Sequence, residues 1–402
     1  MTIELEFSVI STSRNQIALL EQYLADFERQ THVHVHLRVL QWATARAELV
    51  KYGLYRQGVD VSEAGSTWVS DFIGMNVLRP FAAVEVEQLG GAESFVSAAW
   101  KSGHLSGEEQ EVWAIPWMVS PVLIVYRADW LKRAGVDPSQ GFVSFDAFEQ
   151  TLEQLQAMGC PLPLSLPVHN SRYGTLHNVA SWIWWAGSDF LSKDGKQVLF
   201  DHPDALAGIA RYYALRRYFG EELARLLAAE QKQLRAGMEF WKGNAAITVG
   251  GSWLLSDTLM VPEVKQNAAV APLPAPAFVG AQSLVVWRHS HNPAAALDLV
   301  RYLTQPTILA GYAEELGLLP ARRAILDNGR SVESATLAQV ALGGRSFPAA
   351  RLLGLVEDKL SLALENLWDE ILKPDVDDEK VRELIEKRLG AVARQLNLTL
   401  SS

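Results

Sequence analysis

The chain has 402 residues, a length that exceeds one ordinary hydrophobic core and predicts two domains. Its composition, 49% apolar and 20% charged, excludes a disordered chain. A formal net charge of -10 with no Lys/Arg run excludes a nucleic-acid binder, which needs a basic face to release counterions.

Strand and helix signals alternate from the start. Residues 5–10 read as a short strand, after which Ile17, Leu20, Leu24 and Phe27 recur at helical spacing towards a stop near Gln30. Residues 32–40 predict a second strand with Val33, Val35, Leu37 and Val39 on one face. Residues 46–55 predict a helix and residues 59–61 a third strand. This order implies right-handed strand–helix–strand units and a mostly parallel sheet. Further on, residues 122–126 predict a buried strand, and Ser144 an N-cap for a helix carrying Phe145, Phe148, Leu152 and Leu155, stopped at Gly159. Residues 245–249 and 284–287 predict short strands, and Asn292-Pro293 opens a helix with proline at its first position. The Pro-rich stretch 271–276 is a candidate crossover. Residues 348–398 are helical apart from a break near Pro374.

Tryptophan placement is the strongest functional signal. Of 13 tryptophans, Trp42, Trp68, Trp117, Trp182, Trp184, Trp185, Trp253 and Trp287 fall beside an apolar run or a turn, with polar neighbours. A flat indole covers the C–H face of a sugar ring while polar neighbours bond its hydroxyls. In open α/β sheets ligands gather outside the carboxyl ends of strands. The three N-terminal strand ends supply Thr12, Ser13 and Arg14, then Gln41 and Trp42, then Glu63, Ser66, Thr67 and Trp68. Arginine and glutamate offer charge-assisted hydrogen bonds and the others neutral ones.

Ala245-Ala246-Ile247-Thr248-Val249-Gly250-Gly251-Ser252-Trp253 resembles the strand, glycine turn and tryptophan of bacterial extracellular solute-binding proteins for sugars, a family that includes the maltose-binding protein. Val270-Ala271-Pro272-Leu273-Pro274, Gly280-Ala281-Gln282-Ser283-Leu284, Asn292-Pro293 and Gly317-Leu318-Leu319-Pro320-Ala321-Arg322 follow in the family's order. Upstream, Trp113-Ala114-Ile115-Pro116-Trp117 with Val125-Tyr126 is similar to its first interdomain crossing, although many relatives have Tyr-Asn where this chain has Tyr126-Arg127. The resemblance implies an α/β fold of two periplasmic-binding-protein-like lobes, with mixed, mostly parallel sheets flanked by helices and a ligand cleft between the lobes. It implies one lobe from 1–115 and 268–318, another from 119–264 and 322–402, and hinge crossings near 116–118, 265–267 and 319–321.

Carried over by position, Thr12, Ser13, Arg14 and Trp68 match ligand contacts of the first lobe, and Trp253 a stacking aromatic of the second. The stretch from Tyr173 adds His177, Asn178 and Trp182, while the motifs above add Trp117, Gln282 and Arg322. Arg351 lies where the last helices approach the cleft. The function implied is non-catalytic capture of a mono- or oligosaccharide by lobe closure, as the receptor of an ABC importer whose membrane subunits are its partners. A monomer without a cofactor is expected. A carbohydrate-sensing module is the alternative, and a glycan-processing enzyme the less favoured one. Polyamines are a further ligand class that a tryptophan box with carboxylates would hold.

His32, His34 and His36 alternate in a spacing that can chelate zinc, but no carboxylate completes the motif and a solvated strand face is expected. The single Cys160 excludes an intrachain disulfide and a thiolate zinc site. No run of about 18 uncharged apolar residues predicts a membrane span. The start lacks a basic n-region and an apolar h-region. A periplasmic or extracellular location is expected, with or without a membrane anchor, the export signal lying outside this chain; a chain that natively starts at Met1 would be cytoplasmic.

Overall fold

The computed structural model describes residues 3–108, 110–168, 173–220, 223, 237–256, 259–326 and 331–400. Among them nine strands run in chain order: β1 (Ile3–Ser11), β2 (Val33–Gln41), β3 (Val61–Gly65), β4 (Ile115–Arg127), β5 (Leu164–Ser165), β6 (Ile247–Gly251), β7 (Ala268–Ala271), β8 (Val279–Val286) and β9 (Leu319–Pro320). The chain forms two compact units. The first comprises Met1–Ser120, Val279–Arg330 and Ser346–Gly354, the second Pro121–Phe278, Ser331–Arg345 and Leu355–Ser402.

In the first unit β1 pairs in parallel with β2 and β3, and β8 returns antiparallel on β3. The helix Arg14–Thr31 between β1 and β2 starts in a capping box, with Ser13 accepting from the Gln16 N–H and the Gln16 side chain reaching back. Leu20, Leu24 and Phe27 form its buried stripe, and it stops where His32 takes a left-handed backbone. His32 therefore caps the helix, and β2 starts one residue later than expected. His34 and His36 stay on an outward face, next to Glu28 and Glu4. The core gathers Ile10, Leu40, Leu49, Trp68, Phe72, Val285 and Trp287.

In the second unit β4 lies between antiparallel β6 and β7, and β5 runs parallel to β6. Because β7 pairs with β4, residues 268–278 belong with this unit. At the end of β4, Arg127 is almost fully enclosed and bonds Asp129 and Glu263, so a charged fork closes the strand. The helix Phe145–Ala157 starts at Ser144, whose hydroxyl accepts from the Ala147 N–H.

Helix Pro203–Ala214 packs on helix Gly174–Trp185 through Gly208, where a Cβ would stand 2.4 Å from the Trp182 carbonyl oxygen. Only hydrogen fits between these backbones. Gly208→Ala should therefore destabilise the fold by about 1–3 kcal/mol, read as a lowered urea midpoint. An unchanged midpoint would show that the helices separate without cost.

Candidate functional site

The carboxyl edge of the first unit brings Ser11 level with Gln41, and Gly65 level with Gln282. Gln41 caps the helix Trp42–Tyr55, so Trp42 is a first-turn helical residue and not a loop residue. Neither this helix nor Arg14–Thr31 has an acidic residue in its first turn, which leaves two positive dipole ends at the strand edge. Arg14 is exposed at the first helical position, against the dipole, with no ion-pair partner among the described residues. Trp42 is 43% exposed, and its ring meets the buried Trp68 edge-on at 5.7 Å. The buried Oε1 of Gln282 has no hydrogen-bond partner among the described residues. Gln282 thus brings an unused acceptor to the same edge as Trp42 and Arg14.

Other predicted residues of this unit hold the edge together. The Thr12 hydroxyl donates to Gln16, and Ser13 caps its helix. The Ser66 hydroxyl accepts from the Ala281 N–H at 3.1 Å, while Thr67 remains half-buried beside it. Glu63 is a correction: the third strand spans Val61–Gly65 and encloses this side chain completely. One oxygen accepts from the Ile10 N–H at 2.8 Å, and burial raises the acid to about 8. A carboxyl so placed is a neutral core group, out of a ligand's reach.

Trp117 is likewise a core residue. It is fully buried, stacks on Tyr312 at 4.7 Å, and donates to the Leu303 carbonyl. Arg322 crosses the Phe95 ring and donates to the Thr304 carbonyl. Arg351 is exposed and paired with Glu108.

In the second unit Trp253 follows the carboxyl end of β6 in a 3-10 turn, 37% exposed. Its ring meets Trp241 edge-on at 6.0 Å, and Trp241 is anchored by its indole N–H to the Leu254 carbonyl. At the start of helix Gly174–Trp185, His177 stacks on Phe278 at 4.2 Å and on Tyr173 at 5.9 Å. The Tyr173 hydroxyl donates to Asp358, and the His177 Nε2 lies 3.4 Å from Glu357. Glu357 is buried in helix Leu353–Ile371, and its second oxygen has no hydrogen-bond partner among the described residues. Sequence reasoning missed Glu357, Phe278 and Trp241. A signal for Glu357 existed, because it shares the apolar stripe of Val356, Leu360 and Leu364 with Ser361.

Asn178 and Trp182 turn inward. Asn178 donates to the Val249 carbonyl, and Trp182 packs on Phe145 and Tyr212 with no exposure. Trp287 donates to Ser62 within the first core. Trp184 lines a cavity of about 380 Å3 with Asp189, His202 and Arg345, and Trp185 lies under the Arg211 guanidinium. Of the eight tryptophans singled out from the sequence, Trp42 and Trp253 are the two that stay exposed at a strand's carboxyl end. Among the described residues no group of three His, Cys, Asp or Glu is placed to hold a metal ion.

A sequence-family profile described as "Bacterial extracellular solute-binding protein" matches residues 22–339, well over half the chain. The chain belongs to this family. Solved structures agree on the fold. The sugar-binding protein MalE from Xanthomonas citri is similar with a TM-score of 0.79 at 18% identity, covering 98% of each chain. Maltose-bound MalE3 of T. maritima gives 0.76 at 20% identity, over 97% of this chain and 99% of its own. A solute-binding protein from Thermotoga lettingae, bound with alpha-D-tagatose, gives 0.77 at 17% identity over 99% and 100%. No curated protein matches the chain. Family membership makes it a solute-binding protein of an extracellular type. No helix among the described residues is long and apolar enough to cross a membrane.

Proposed function

We propose that this family member is the receptor of an ABC importer and that its solute is a mono- or oligosaccharide. One observation carries the reading. Each unit presents an exposed tryptophan at the carboxyl end of a strand, Trp42 and Trp253, and each is braced edge-on by a buried second indole. Braced indoles lose little entropy when a sugar ring stacks on them. Arg14, Gln41 and Gln282 on the first unit, and His177 and Tyr173 on the second, supply hydroxyl partners. Three similar structures are a sugar-binding protein and proteins bound to maltose and tagatose, which favours the same ligand class.

The reading is non-catalytic. Glu63 is enclosed in the first core, and Glu357 is buried against His177, so neither is an exposed acid beside a stacking indole. Hinge closure, a periplasmic or extracellular location and a monomer complete the proposal. A thermal-shift screen against mono- and oligosaccharides tests it, because a ligand that binds only the native state raises its melting temperature. At least one neutral sugar should give a saturable shift and quench tryptophan fluorescence, with the sugar recovered intact. Shifts with polyamines alone, or hydrolysis products from the oligosaccharides, would replace this reading.

A further inference from the structure

A cavity of about 330 Å3 opens in the first unit, lined by Gln88, Gly90, Arg301, Gln305, Pro306 and Arg322. Two guanidinium groups line one small space, and that of Arg322 has no carboxylate partner among the described residues. Arg322 lies over the Phe95 ring at 4.9 Å, and that ring also stacks on Trp100 at 5.5 Å. Its Nε donates to the Thr304 carbonyl at 2.7 Å, and no carboxylate pairs with it among the described residues. Burial alone depresses its basicity, as expected of a guanidinium drawn out of water without a counter-charge. Arg301 spends Nη1 on Asp298 at 3.0 Å, but its buried Nε has no acceptor among the described residues. The nearby Glu85 is already bonded by Arg79 and by the Ala82 N–H.

Two backbone features keep the space open and positive. Gly90 has φ +94, and a Cβ there would meet Ser94 Oγ at 2.5 Å and Arg322 Nη1 at 3.4 Å. The 11-residue helix Pro306–Leu316 begins on the cavity wall, with Gln305 as its cap and no acidic residue in its first turn. A neutral sugar would leave the Arg322 charge uncompensated. An oxyanion would compensate it and accept from the guanidinium N–H groups that line the cavity.

We propose that this cavity binds a small organic oxyanion, a carboxylate or a phosphate ester, clamped by Arg322 and Arg301. Its lining includes neither Trp42 nor Trp253, and the proposal stands whether or not the solute is a sugar. Its size falls at the small end of ligand pockets and suits a compact metabolite.

The test is titration calorimetry with a parallel thermal shift at fixed ionic strength. Probes are citrate, glycerol 3-phosphate and inorganic phosphate, with glycerol as the neutral control. A saturable response to citrate or to glycerol 3-phosphate, and none to glycerol, is expected; which anion responds separates carboxylate from phosphate recognition. Arg301→Gln should weaken it about tenfold, the usual scale of one charge-assisted hydrogen bond. Gln305→Glu, an exposed position that the fold tolerates, should weaken it at least as much by placing a carboxylate at the cavity. Arg322→Gln is the less clean probe, since that side chain also braces Phe95 and Thr304. No response to any anion would overturn the proposal. So would responses that survive both Arg301→Gln and Gln305→Glu, which would place the anion elsewhere.

Discussion

Replacing Trp253 with alanine is expected to weaken carbohydrate binding roughly 10- to 30-fold, and Trp42→Ala should have an effect of the same order. The size follows from two terms. Ring stacking contributes about 0.5–1.5 kcal/mol beyond area burial, and covering the sugar's C–H face adds about 25 cal/mol per Å2 of apolar surface. Together they approach about 2 kcal/mol for one indole, where each 1.4 kcal/mol is a factor of ten. Both side chains are exposed at 43% and 37%, so truncation should leave the unliganded melting temperature almost unchanged. Titration calorimetry of each variant against the best sugar from the screen reads the effect. Trp182→Ala is the contrasting control: it opens a cavity between Phe145 and Tyr212 and should lower stability by about 3–5 kcal/mol. Unchanged affinity in Trp42→Ala or Trp253→Ala would remove that indole from the site.

That contrast shows where sequence reasoning succeeds and where it stops. Helical periodicity at Leu20, Leu24 and Phe27 and alternation at Val33 and Val35 translate directly into buried faces, because both reflect local geometry. Capping at Ser144 was legible for the same reason, since the donor and acceptor lie three residues apart, whereas Ser13, read as a ligand contact, caps the helix Arg14–Thr31. Indole burial is different, because it depends on partners far along the chain. Trp117 is sealed by Leu303 and Tyr312, and Trp287 by Ser62; nothing near either tryptophan announces those contacts. The third strand was placed too early for a related reason. Ser62 and Glu63 look like turn residues, yet β8, far along the chain, pairs with them. A polar pair inside a strand breaks the alternation that identifies strands, so the signal failed where the core is least typical.

Glu63 should make this protein less stable as pH rises from acid to mildly alkaline values. The side chain is fully enclosed, accepts one backbone bond at one oxygen, and leaves the other oxygen unpartnered among the described residues. Burial therefore lifts the acid from an ordinary 4.5 to about 8. Below 4.5 the folded and unfolded chains are both protonated here, and the favourable contribution is complete. Between 4.5 and about 8 the folded chain keeps a proton that the unfolded chain has released. Stability then falls by about 1.4 kcal/mol per pH unit, on the order of 5 kcal/mol across the window, and levels off above it. Glu63→Gln keeps an acceptor for the Ile10 N–H but cannot ionise, so it should remove this slope. Urea midpoints measured from pH 4 to 9 should match near pH 4–5, and the variant should gain increasingly up to about pH 8. A stability difference that stays constant over that range would mean that the enclosed carboxyl titrates as an ordinary acid. Because Gln16 and Tyr312 join β1's end to the same pocket, the loss above neutrality should also loosen Thr12 and Ser13. Amide exchange of the Thr12 N–H, bonded to Gln16 at 2.7 Å, should therefore accelerate in wild type as pH passes 7, beyond the intrinsic base-catalysed rise, and not in Glu63→Gln.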